Sequence, residues 1–64
     1  MIYPKEVMSK AELHKMGFSM EYLNEIVHHQ LAPTFCWKKK KGVRNSKYFF
    51  DTTKFEKLRE KGAI

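Results

Sequence analysis

The chain has 64 residues, of which 42% are hydrophobic and 31% charged, and a formal net charge of +6. That length allows one domain, 1–64, with a small core, because a chain of this size buries only about 60% of its unfolded surface. The composition is too apolar for a disordered tail, and no apolar run approaches the roughly 20 residues that span a bilayer.

The first residues lack the basic and apolar regions of a signal peptide, and a single cysteine forms no internal disulfide. A cytoplasmic location with no membrane partner is therefore expected. Residues 1–8 read as an extended lead-in or a short edge strand, since Pro4 argues against a central strand. Their apolar residues Ile2, Tyr3, Val7 and Met8 are expected to cover the core.

Ser9-Lys10-Ala11-Glu12 has capping-box spacing, in which the hydroxyl and the carboxylate each satisfy a backbone N–H at a helix start. Met8 precedes the cap as a hydrophobic staple, and Gly17 supplies a left-handed stop after about two turns. Ser19 caps a second helix, 20–29, with Glu21 in its first turn. Leu23, Ile26 and Val27, with Tyr22 beside Ile26, form its apolar stripe. Its other face carries Met20, Glu21, Asn24, Glu25 and His28. Two short helices joined by Gly17-Phe18-Ser19 make a helix-turn-helix, whose second helix can enter a major groove.

Residues 31–34 read as a linker, because Pro33 ends any helical tendency. Residues 35–50 follow as a β-hairpin with a basic tip. On alternation, Phe35 and Trp37 share one face of the first strand; Tyr48 and Phe50 share one face of the second, with Phe49 opposite. Gly42, Asn45 and Ser46 provide the turn chemistry. Any of Asp51, Thr52 and Thr53 can cap the last helix, and Thr53 with Glu56 has capping-box spacing. Phe55 and Leu58 point inward, Glu56 and Arg59 can pair outside, and Gly62 ends the helix. The expected fold class is α+β: a small winged helix-turn-helix with two short helices, a basic hairpin wing and a C-terminal helix.

The charge distribution matters more than its sum. No Asp or Glu occurs between Ile26 and Phe50, and all seven acidic residues lie in the flanking segments. Such a field suits a polyanion. Lys38, Lys39, Lys40, Lys41, Arg44 and Lys47 at the tip would contact phosphates and release counterions, which gives salt-dependent affinity. Arg44 is the candidate for a narrow minor groove, which attracts arginine, and Asn45 lies beside it. On the second helix, Ser19, Met20, Asn24 and His28 form a candidate reading face, with ordinary polar surface as the plainer account. Glu21 and Glu25 repel phosphate there, so the tip is expected to supply most of the affinity.

The rings of Phe35, Trp37, Tyr48, Phe49 and Phe50 can stack on unpaired bases, but so small a core needs them, and core packing is the preferred reading. Phe49 is the exception, either covering a second surface or exposed. His14, His28, His29 and Cys36 lack the paired spacing of zinc ligands. Nothing activates Cys36 as a nucleophile, and the carboxylates are scattered. No enzyme, cofactor or metal is expected.

Ala11-Glu12-Leu13 through Gly17-Phe18-Ser19, Tyr22-Leu23, and Lys47-Tyr48-Phe49-Phe50-Asp51 leading to Phe55 resemble the MerR-like winged helix-turn-helix. At this size the chain looks most like the excisionases, or recombination directionality factors, of phages and integrative elements. The resemblance covers nearly the whole chain. It implies a non-catalytic architectural protein whose second helix reads the major groove of double-stranded DNA while the wing enters the adjacent minor groove. It also implies attachment-site DNA as the target, an integrase of the tyrosine recombinase type as a partner, and copies bound side by side. The rival readings are a transcriptional regulator of a mobile element and a protein-interaction module, such as a phage-encoded inhibitor, that uses its basic face.

Overall fold

The computed structural model describes residues 2–39 and 47–64. Within them the order is β1 (Val7–Ser9), α1 (Lys10–Lys15), α2 (Met20–Val27), a 3₁₀ turn (Ala32–Thr34), β2 (Cys36–Lys38), β3 (Tyr48–Asp51) and α3 (Thr52–Glu60). The strands make one antiparallel sheet in the order β1-β3-β2. This is a small α+β fold of the winged-helix kind, with a helical pair, a hairpin and a closing helix.

Each helix start is set by a local rule. Ser9 Oγ accepts from the Glu12 N–H at 3.1 Å while Glu12 accepts from the Ser9 N–H at 3.0 Å, completing the capping box. Met8 before that cap and Leu13 within the helix both lie in the core. Ser19 Oγ accepts from the Tyr22 N–H at 3.1 Å. For α3 the cap is Asp51, which accepts from the N–H groups of Thr53 and Lys54. Thr52 is buried instead, and its hydroxyl donates to the Glu6 carbonyl at 2.8 Å. That contact excludes it from the capping role and ties α3 to the chain entering β1.

The helix ends are equally local. Gly17 and Gly62 hold φ of +119° and +73°, the left-handed region that favours glycine. Phe18 N–H donates to Leu13 O and Gly17 N–H to His14 O. Ala63 and Gly62 repeat the pair on Leu58 and Arg59. Both are Schellman ends, which satisfy carbonyls that the helix leaves over.

Met8, Leu13, Phe18, Leu23, Ile26, Ala32, Phe35, Cys36, Phe50 and Phe55 form the core. Phe55 lies at its centre, with ring centroids 5.5–5.7 Å from those of Phe18, Phe35 and Phe50.

Four expectations are corrected. Residues 31–34 are not a plain linker: Pro33 lies inside the 3₁₀ turn, where an early proline is tolerated because its missing N–H is not needed. The second helix ends at Val27, and His28 and His29 lie beyond it. Of the lead-in, Met8 is buried and Tyr3 packs on the core, whereas Ile2 and Val7 are exposed.

The fourth correction concerns the hairpin faces. Phe35 has ψ near −4°, so it precedes the strand and does not alternate with Trp37. Register pairs Cys36 with Phe50 on the core face and Trp37 with Phe49 on the other. Trp37 is therefore not a core residue, and it remains 44% exposed. Phe49 is half-buried and stacked on it.

Candidate nucleic-acid interface

Two elements carry the candidate residues. On α2, the buried positions Leu23 and Ile26 turn Met20, Asn24 and His28 outward, together with Glu21 and Glu25. Met20, Asn24 and His28 are spaced i, i+4, i+8 and so share one side of the helix. Ser19 sits at its start, its hydroxyl engaged in the cap. All four positions, Ser19, Met20, Asn24 and His28, are exposed, with His28 just beyond the C-terminal end of the helix.

Its charge differs from the one read off the second helix alone. The Lys10 ammonium, supplied by α1, donates to Asn24 Oδ1. A cation thus stands beside the candidate base reader, between it and α1, and offsets part of the field of Glu21 and Glu25. Sequence reasoning missed Lys10 because it belongs to another helix. The Gly17 turn that folds α1 back against α2 was the available signal.

On the hairpin, Lys38, Lys39 and Lys47 are exposed. The Lys38 ammonium lies 5.4 Å from the Tyr48 ring centroid. Lys39 N–H donates to Lys47 O at 2.9 Å, extending the ladder past the last assigned pair. Lys40, Lys41, Arg44 and Asn45 lie outside the described residues. Among the described residues, none of these three lysines pairs with a carboxylate; the ion pairs are Lys5–Glu12 and Arg59–Glu56.

Between the two elements lies an open cleft of about 690 Å³, floored by Val27, Ala32 and Cys36 and edged by His28, Lys38 and Tyr48. No carboxylate lines it. The described part of the acid-free stretch, 26–39 and 47–50, thus lines one side of the molecule with the end of α2, the 3₁₀ turn and the two hairpin strands.

His14, His29 and Cys36 are engaged within the fold. His14 Nδ1 lies 2.8 Å from Phe18 O, and His29 Nδ1 accepts from the Leu31 N–H at 3.0 Å. Cys36 is buried, and burial pushes its thiol up to about 11, far from the depressed value that a thiolate nucleophile needs. Among the described residues, no group of three His, Cys, Asp or Glu side chains could hold a metal ion. Nor is any described helix long and apolar enough to cross a membrane.

Comparison with protein-family models, curated proteins and solved structures finds no match to this chain.

Proposed function

We propose that this is a DNA-binding protein of excisionase type, acting in the cytoplasm. It lays α2 in a major groove and the lysines of the hairpin along the neighbouring phosphates and minor groove. Its action is architectural: it positions attachment-site DNA for an integrase, and copies of itself can line up along the site. It performs no chemistry.

The observation that carries the reading is the acid-free wall between α2 and the hairpin, with Lys38, Lys39 and Lys47 exposed and without carboxylate partners among the described residues. Charges held out of ion pairs and gathered on one side are costly unless a counter-charge meets them. A duplex, with one negative charge per ~1.7 Å of axis, meets them repeatedly. Lys10, from α1, then adds a cation for phosphate beside Asn24, whose amide N–H2 can still donate to a base edge.

The test is a gel shift on random duplex DNA across a salt series, with the wild type and a Lys38→Ala/Lys39→Ala/Lys47→Ala variant. The wild type should shift at low salt. The variant should bind more weakly to every sequence, with its log K against log salt slope flatter by about 2–3. An unchanged slope would remove the hairpin from the interface.

The exposed Glu21 and Glu25 favour one second reading, a module that captures an acidic protein through the same lysines and keeps DNA off α2. Absence of a shift with any duplex selects that reading. A transcriptional regulator would instead show its tightest site beside its own promoter.

A further inference from the structure

The face of the sheet turned away from the core carries an arrangement that the fold does not need. Register places Trp37 directly opposite Phe49 there, rings stacked with centroids 6.4 Å apart and planes 26° apart. Trp37 is 44% exposed there. One rung further, the same alternation sets Lys39 opposite Lys47, joined through their backbones at 2.9 Å. Two like charges facing each other across a ladder destabilise it, and neither has a carboxylate partner among the described residues.

Asp51, on β3, and Glu12, bonded to Ser9 of β1, are already engaged. Asp51 caps α3, and Glu12 holds Lys5 and the Ser9 N–H. Aromatic stacking across the hairpin accounts for Trp37 and Phe49 as a stabilising pair. It does not account for a cation pair beside them.

We propose that this outer face is a binding site for single-stranded nucleic acid, in which an unpaired base stacks on Trp37 and its phosphate sits between Lys39 and Lys47. The two rungs are about 7 Å apart along the strands, so ring and cations serve neighbouring groups of one strand. Base–aromatic stacking tolerates any base, because each has a π-face. A duplex keeps its bases stacked inside and offers this site only its phosphates. The site shares Lys39 and Lys47 with the interface proposed for duplex DNA, and Trp37 also lines the cleft between α2 and the hairpin; base stacking on Trp37 is what separates the two readings.

Trp37 is the chain's one tryptophan, so its fluorescence reports the site directly. The experiment titrates the protein with oligo-dT, oligo-rU, a duplex, and an abasic phosphodiester of equal length, at matched phosphate concentration. Both single strands should quench Trp37 well beyond the duplex and the abasic chain. A difference between the DNA and RNA arms would name the preferred sugar. Binding followed by anisotropy of a labelled oligo-dT should weaken about 5- to 150-fold in Trp37→Ala and recover in Trp37→Phe.

Equal quenching by the abasic chain would reduce the site to a charge effect and overturn the proposal. So would quenching that tracks protein concentration without oligonucleotide, which would mean a second copy covers the rings. Should Trp37→Ala not fold, the wild-type comparison of base-bearing with abasic chains still decides. A duplex gel shift without single-strand quenching keeps the duplex reading and removes this one, and the reverse result does the opposite.

Discussion

Around α3, Arg59 donates to Glu56 at 2.6 Å, Tyr3 donates to the same carboxylate at 2.8 Å, and the guanidinium lies 5.0 Å from the Phe18 ring centroid. Around the hairpin, Lys38, Lys39 and Lys47 stand exposed, with one tyrosine ring and no carboxylate beside them among the described residues. Both regions combine cations with aromatic rings. In the first, every partner is internal, so the charges hold two ends of the chain together. In the second, the Tyr48 ring supports one of the cations and no described carboxylate neutralises them. Neutralised charge accompanies a structural site here, and the charge left over on the hairpin is what the proposed docking surface rests on.

The sharpest way to separate the regions is through stability. Phe55→Ala removes the ring that joins Tyr3, Phe18, Phe35 and Phe50. It should cost about 3–5 kcal/mol, a large part of what so small a domain has. Urea unfolding should show the midpoint collapse; a loss below about 1 kcal/mol would mean that the core closes without it.

Arg59→Ala should cost less, about 1–2 kcal/mol, through the lost ring contact and a partly shielded ion pair. Thermal melts would read it. A neutral result would place Arg59 with the hairpin lysines.

Smaller again is the response to pH. Burial, then the bond to Glu56 and its charge, raise Tyr3 from 10.0 to about 12. Its contribution is complete below pH 10 and fades as pH climbs towards 12, because the neutral phenol is the form that the fold favours. Glu12 moves the other way: Lys5 and then the Ser9 N–H lower it from 4.5 to about 2. Its contribution is complete above pH 4.5 and fades as pH falls towards 2. Melts at both extremes should therefore fall, and Tyr3→Phe should flatten the alkaline limb alone.

The smallest expected change is in the triple lysine variant, whose stability should stay within about 0.5 kcal/mol of the wild type. A clear loss would make those lysines structural and erase the contrast.

Local chemistry made much of the fold readable in advance. Ser9, Ser19, Gly17 and Gly62 obey rules that involve only their neighbours along the chain, and the structure puts each where those rules require. What stayed open, was misread or went unseen lies where distant residues decide. Asp51 caps α3 because Thr52 is drawn away by the Glu6 carbonyl, 46 residues earlier. Trp37 faces outward because Phe35 leaves the strand geometry at the 3₁₀ turn, which shifts the alternation by one. Lys10 reaches Asn24 through a tertiary contact. Of the candidate site, the acid-free span was visible as composition, but bringing its parts to one side required the 3₁₀ turn, packed on β2, to follow the end of α2.

The sheet order has a further consequence, for the timing of folding. β3 is flanked on one side by β2, its near neighbour in the chain, and on the other by β1, whose entry point is tied to Thr52 across 46 residues. The first ladder closes a short loop; the second must close about two thirds of the chain, a step that chain entropy makes slower. The hairpin can therefore assemble while one edge of β3 is still bare, and Met8 is seated afterwards. On a ribosome that edge stays open until β3 has emerged and β1, made long before, returns to cover it.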